Sequence, residues 1–355
     1  MSTTVRRPAP GPDDGWSSRP TSAPWHRVPP SAVRRRRRPA RRLLAAALVA
    51  VAAVVVLLPD AFGLDRVLPF AVTAALRLPL AVATWVVGLG LLALRPRWWP
   101  ALAAALAAAV AAVAVVLPRA VPQPGPPPGG TELVVLELNA FQGRADPAAI
   151  AAAALAARAD LVVLPEAGER MRRALAALLP GWRTWTNVPP AAEEVRGIVV
   201  ASAPRAGDTT ARRLDGGTRY PWAEVTGGLL GPTRLVAVHV VSPVPRWIAH
   251  WPGELESLRR WCAAPGPALV VGDLNASPDH SAFRAGTAGC VDAGTATGGS
   301  LAGTWFAGLP RWLGTQIDHV LTRAAPDGSG PAARSLEVVD LPGTDHRGLV
   351  VHLRL

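Results

Sequence analysis

Three apolar runs dominate the first third of the chain. They cover residues 43–58 (LLAAALVAVAAVVVLL), 78–94 (LPLAVATWVVGLGLLAL) and 101–117 (ALAAALAAAVAAVAVVL). No charge interrupts them, and Arg77 stands at the edge of the second. A helix packed into a water-soluble core keeps a polar stripe. These runs have none, so they predict three membrane helices over 43–117, at 16 to 17 residues the short end for crossing a bilayer. After residue 131 the pattern changes: short β-branched runs alternate with helical stretches and polar loops. That alternation, over 131–355, predicts one α/β domain.

Composition refines the picture at both ends of the apolar region. Residues 1–42 hold eleven Arg and two Asp, +9 of the formal +12, among many Pro, Gly and Ser. This stretch reads as a disordered cytoplasmic tail. With the surplus removed, the rest of the chain is nearly balanced, so the basic pI does not mark a nucleic-acid face on the folded part. Arg clusters favour the cytoplasmic side of a span. The tail and the link RPRWWP (95–100) are basic, whereas 59–66 carries Asp60 and Asp65 against Arg66. The expectation is a multi-pass protein of the cell membrane, its N-terminus in the cytoplasm and everything after residue 117 outside. Residues 118–130 (PRAVPQPGPPPGG) form a Pro/Gly-rich linker. Cys262 and Cys290 lack zinc-ligand spacing; outside the cytoplasm they are free to pair.

Within 131–355, polar residues recur where apolar strands end. ELVVLELNA ends on Asn139, DLVVLPEAG on Glu166, and TRLVAVHVVSP carries His239. ALVVGDLNASPDH places Asp273 and Asn275 at its exit, QIDHVLT begins with Asp318, and GTDHRGLVVHLRL sets Asp345 and His346 before a closing strand. Singly, each has an ordinary explanation as a turn, cap or core residue. Together they supply oxygen ligands for a hard cation: Glu166, with Asn139 or Asp345 nearby. Transition-metal spacing of Cys and His is missing. His250, His280 and His352 have no motif around them and read as surface or loop residues.

The ordered pieces LELNA, LVVLPEAG, RGIVVAS, VAVHVVSP, VVGDLNASP, QIDHVL and GTDHRGLVVHL resemble the endonuclease/exonuclease/phosphatase superfamily over essentially all of 132–355. The resemblance implies a four-layer α/β sandwich of two packed β-sheets flanked by helices. It implies Mg²⁺ (or Mn²⁺) held by Glu166 with Asn139 and Asp345. Asp273 would orient or deprotonate water and Asn275 would hold it. His346, held by Asp318, and His239 would meet the phosphate. The implied substrate is a phosphate ester, either nucleic acid or a phospholipid head group, with no obligate protein partner. Pro165 stands where the family often has Gln before the Glu, and Tyr220, the single tyrosine, has no assigned place. A membrane-tethered binding module with this fold and no turnover is the competing reading.

Overall fold

The computed structural model describes residues 1–5, 31–126, 129–216 and 218–355. The chain divides into two units, Met1–Arg42 and Leu43–Leu355. Most of the expected tail, residues 6–30, lies outside the described residues. Helix α1 (Ser31–Leu57) begins within its last part; Arg and Ala are strong helix formers.

Two short 3₁₀ turns follow α1, then helix α2 (Phe70–Ala75), α3 (Arg77–Leu94) and α4 (Trp99–Val116). Of the three expected spans, two are long and apolar enough among the described residues, Arg77–Leu94 and Trp99–Ala120. The third is corrected by its length. The apolar part of α1 is only Leu43–Leu57, about 22 Å at 1.5 Å per residue, short of a hydrocarbon layer of about 30 Å. Helices α3 and α4 pack together through small residues, Ala81 with Ala108, Ala109 and Ala112, in a cluster that Leu57 at the end of α1 joins. Their other faces stay outward, with Val86, Val87, Leu94 and Val110 exposed.

The rest of the chain builds two sheets. The first contains β1 (Glu132–Glu137), β2 (Leu161–Pro165), β3 (Arg183–Thr186) and β4 (Ile198–Ser202), with α5 (Pro147–Ala156) and α6 (Glu169–Leu178) in the connections. Asp146 caps α5 by accepting from Ala148 N, and Pro147 takes the first helical position. The second contains β5 (Thr209–Leu214), β6 (Trp222–Gly227), β7 (Arg234–His239), β8 (Ala268–Asp273), β9 (Val291–Asp292) and β10 (Asp318–Arg323). Helices α7 (Trp251–Glu256), α8 (Arg259–Cys262), α9 (Ser281–Gly286) and α10 (Ala293–Thr297) lie between those strands in sequence. The last two strands, β11 (Ala332–Val339) and β12 (Gly348–Arg354), return to the first sheet. The orders are β11-β12-β1-β2-β4-β3 and β5-β6-β7-β8-β10-β9.

Strand alternation makes the layers. Leu133, Val135, Leu161 and Val163 face the other sheet, where Leu235, Ala237, Leu269 and Val271 meet them. Their neighbours Val134, Leu136, Val162 and Leu164 point outward onto Ile150, Met171 and Leu175 of α5 and α6. On the far side, Val236, Val238 and Val270 pack on Trp251, Leu255, Trp261 and Phe283. The result is the expected sandwich of two packed sheets flanked by helices. Ala71 of α2 belongs to that last apolar cluster. A disulfide joins Cys262 to Cys290.

Candidate active site

Each sheet has one parallel pair at its centre, β1 with β2 and β7 with β8. Parallel neighbours bring their C-terminal ends to one edge, where ligands are commonly met. Asn139 and Glu166 leave the first pair there, and His239 and Asp273 face each other in register at the end of the second. β10 runs antiparallel to β8, so its first residue, Asp318, pairs with Asp273. β12 runs antiparallel to β1, which brings Asp345 and His346, just before it, to the same edge.

Close approach at this edge depends on Gly272 (φ +142°). A Cβ there would lie 2.0 Å from the Val238 carbonyl oxygen, so no side chain fits between β7 and β8. Glu166 and Asn275 themselves have left-handed backbones, φ 55° and 48°. Such conformations cost roughly 1–2 kcal/mol outside glycine and collect at functional sites.

The side chains converge. Asn139 Nδ2 donates to Asp273 Oδ2 at 2.9 Å and to Glu166 Oε1 at 3.3 Å. Asp273 Oδ1 accepts from Asn275 N at 2.7 Å, and Oδ2 from Asn275 Nδ2 at 3.1 Å. His239 Nε2 lies 3.7 Å from Glu166 Oε1 and 4.0 Å from Asp273 Oδ2. His346 Nδ1 meets Asp318 Oδ2 at 2.8 Å. Its Nε2 is thereby turned to the cleft, 4.0 Å from both Asp273 Oδ2 and Asp345 Oδ1. All eight sequence-predicted residues therefore gather at one end of the sandwich.

Electrostatics separate their protonation states. Burial, then the charge of Asp318, pushes Asp273 up to about 7. Burial opposes a charged His346, yet the charge and hydrogen bond of Asp318, with Asp273 and Asp345 behind it, push this imidazole up to about 10. His239 shifts downward through burial, against the pull of Glu166. One buried imidazole is thus held cationic and its neighbour is biased toward neutral.

The donor set suits a hard cation. Asp345 Oδ1 is buried without a hydrogen-bond partner, and Glu166 is held by Gln142 N, which donates to Oε2 at 2.8 Å. The tightest metal-type group among the described residues is a different one: Asp273, Asp318 and His346 have ligand atoms within 4.8 Å of one another. Asp318 and His346 are engaged with each other, so that group reads better as an oriented ion pair beside Asp273. Glu166 and Asp345 keep the freer oxygens.

Sequence reasoning missed four participants. Tyr220 stacks on His239, centroids 4.8 Å apart and planes 9° apart. Trp305 Nε1 donates to Asp345 Oδ2 at 3.2 Å. Glu137, fully buried with neither oxygen bonded, lies close enough to Asp318 and Asp273 that burial and their charges raise it well above the usual carboxylate range. A carboxylate inside the apolar run LVVLELN was the available signal for it. His319 is buried in an ion pair with Asp292 (3.0 Å) and takes up Ala276 O with Nε2 (2.9 Å), which fixes the loop after Asp273. His280 corrects the surface reading: it is buried, and its Nε2 meets Ala71 O at 2.9 Å.

The model of the Endonuclease/Exonuclease/phosphatase family matches residues 136–346. Among curated proteins no sequence matches the chain. The fold is similar to that of D. rerio TDP2 complexed with single strand DNA product, at 15% identity and TM-score 0.52, over 63% of this chain and 99% of that one. An endonuclease/exonuclease/phosphatase from Beutenbergia cavernae DSM 12333 is 21% identical, with TM-score 0.46, over 63% and 72%. The Bacteroides thetaiotaomicron VPI-5482 mannosyl-6-phosphatase Bt3783 is 13% identical, with TM-score 0.42, over 63% and 100%.

Proposed function

The chain belongs to the endonuclease/exonuclease/phosphatase family, whose members are typically hydrolases of phosphoester bonds, and from that premise we propose that it is a membrane-anchored, divalent-metal-dependent phosphoesterase. The observation that carries this reading is the gathering of Asn139, Glu166, His239, Asp273, Asn275, Asp318, Asp345 and His346 around one cleft. The structure of D. rerio TDP2 with single strand DNA product is consistent with phosphodiester chemistry on this scaffold.

In this reading Glu166 and Asp345, with Asn139, hold Mg²⁺ or Mn²⁺. When bound, the ion supplies charge neutralisation at phosphoryl oxygens. Asp273 is the proton acceptor for the attacking water. Asn139 and Asn275 fix its carboxylate, and its raised pKa suits it to take a proton near neutrality. His346 presents Nε2–H⁺ to the phosphate, and Asp318 keeps the proton on both ring nitrogens. His239, stacked on Tyr220, lines the facing wall, its Nε2 toward Glu166.

The membrane part is proposed on the same footing. The N-terminal end of α3 and the segment after α4 meet the catalytic domain: Arg77 Nη1 and Arg119 Nη2 donate to Asp279 Oδ1 at 2.7 and 3.0 Å, while Arg77 Nε ties the end of α1 to α3 through Leu57 O. The two helices long enough to cross, α3 and α4, thus begin and end on the domain's side, and the Cys262–Cys290 disulfide favours a domain outside the cytoplasm.

A metal-dependent activity screen tests the enzyme reading. The full chain in detergent, offered DNA, RNA, bis-(p-nitrophenyl) phosphate and phospholipids, is expected to hydrolyse at least one class with Mg²⁺ and to stop with chelator. Glu166→Ala and His346→Ala are each expected to lower kcat by about 10²–10³. A folded chain silent on the whole panel would support the binding module instead.

A further inference from the structure

Resting on the phosphoesterase reading, we propose that the substrate is a membrane lipid carrying its phosphoester at the bilayer surface, and that the anchor itself builds one wall of the site that receives it. The catalytic edge opens into a cavity of about 430 Å³. Glu166, Asp273 and His346 line one side. The facing side is apolar and comes largely from outside the family domain: Ala71, Val72, Ala75 and Leu76, from α2 and its end, with Val244 and Trp247 beside them.

The placement of α2 is specified by buried polar contacts rather than by apolar packing alone. Asp65 accepts from Ser281 N at 2.6 Å and from Ser281 Oγ at 3.0 Å. His280 meets the carbonyl of Ala71. Arg77, fully buried at the start of α3, pairs with Asp60 and, at 2.7 Å, with Asp279. Asp279 also receives Arg119 from the end of α4 at 3.0 Å. The segment that holds the anchor, 277–284, follows Asp273 and Asn275 directly, so the membrane helices and the reacting residues share one support.

A second apolar border continues from cleft to anchor. Trp305 lines the cleft, and Trp312, seven residues later, lines a small hollow with Leu78 and Pro79 of α3 and Val116 of α4. Trp305, Phe306, Leu309 and Trp312 are 40–53% exposed. They are not loose. Arg347 donates to the carbonyls of Gly303, Ala307 and Leu309 and pins the loop that bears them. Aromatic side chains held at the end of apolar helices sit where a membrane meets water. The surface is thus continuous with the lipid-facing helices, and a lipid is the occupant that covers it without leaving the bilayer.

Charge favours the same occupant over a nucleic acid. A polyanion needs a basic track, and Arg246 is the one arginine lining the cavity among the described residues. It lies with Arg219 on the ring of Trp247, at 5.3 and 4.6 Å, enough for one head group at the polar end. An amphiphile therefore fits with its phosphoester at Asp273 and His346 and its apolar part along α2.

The full chain, reconstituted with Mg²⁺ into vesicles of phosphatidylcholine, phosphatidylglycerol, phosphatidylinositol and sphingomyelin in equal parts, is assayed for lipid products by mass spectrometry. Parallel reactions contain bis-(p-nitrophenyl) phosphate or single-stranded DNA. Cleavage of at least one lipid with higher kcat/KM than the soluble substrates is expected. Val72→Asp, and independently Phe306→Ser, are expected to lower lipid turnover about tenfold relative to turnover of the small diester. Preferred cleavage of DNA, or hydrolysis of the small diester with every vesicle lipid intact, would overturn the lipid assignment and leave the phosphoesterase reading standing. So would variants that lower both activities equally. Silence on all substrates would remove both readings.

Discussion

Asp318 decides the charge of His346. Its carboxylate is fully buried, takes Nδ1, and sets Nε2 toward the cleft. Asp318→Asn keeps the shape and removes the charge. The imidazole then loses the interaction that holds it near 10 and, being buried, falls toward or below the ordinary value of about 6.5. Activity carried by His346 as a cation is expected to lose its alkaline limb from near pH 10 and to fail by neutral pH, with kcat down roughly 10²-fold at pH 8. A pH–rate profile checks this; an unmoved alkaline limb would exclude His346 as the acid. Stability carries the same sign. A histidine whose folded pKa is raised stabilises the native state fully below its unfolded value, and that contribution disappears as pH rises through about 10. Asp273 adds to this trend, because a carboxyl raised to about 7 favours the folded state in its protonated form, and the preference fades between about 4 and 7. A divalent cation should oppose that loss. Mg²⁺ is expected to raise the melting temperature of the full chain more at pH 8 than at pH 5.5, and an equal effect at both would argue against carboxylate ligation beside Asp273. All of these residues were legible in the sequence because they stand where apolar runs stop, and a polar residue at such a boundary is visible without coordinates. Tyr220, Trp305 and His319 were not, since their roles come from what they touch across long sequence distances.

At the scale of elements, the strands and the sandwich were readable from period-two burial, whereas the junction between anchor and domain was not. Residues 60–77 look like loop and helix edge in sequence. In the structure they form α2 and a buried ion cluster, because Arg77 cannot be buried without Asp60 and Asp279. The stretch GELESLRRWCAAPG (253–266) has the apolar spacing of a single helix, yet it folds as two short pieces, α7 and α8, with their apolar residues fitted to the second sheet. The buried cluster gives a sharp contrast. Arg77→Ala empties a fully buried position, leaves Asp279 with Arg119 alone and Asp60 with Arg284 alone, strips a donor from Leu57 O, and is expected to cost about 2–3 kcal/mol. Arg213→Ala removes a surface pair with Asp215 and is expected to cost less than about 1 kcal/mol. Chemical denaturation of the full chain in detergent compares them. Limited proteolysis should also find 60–76 newly cleavable in Arg77→Ala alone; equal stability of the two variants would mean that the cluster does not hold the anchor.

For the whole molecule, charge, apolar length and cysteines each bear on the proposed orientation. An N-terminus in the cytoplasm requires the domain outside only if α1 crosses as well as α3 and α4. The short first span, Leu43–Leu57, weakens that argument from length alone, and the disulfide supplies an independent one. Cys262 and Cys290 bracket β8, Asp273, Asn275 and the anchor-clamping segment 277–284. A bond there shortens the unfolded loop that carries the site, and for a separation of 28 residues it contributes about 3.5 kcal/mol. Disulfides persist on the oxidising side of the membrane. Intact cells expressing the full chain are therefore expected to yield a species whose two thiols resist alkylation until reductant is added. Protease applied from outside is expected to release a fragment containing 131–355 and to spare the apolar helices. Cys262→Ser is expected to lower the melting temperature without removing metal-dependent turnover, because neither sulfur lines the cleft. Thiols alkylated at once, with the domain protected from protease, would place it in the cytoplasm and reverse the topology, while leaving the geometry of Asp273, His346 and Glu166 unchanged.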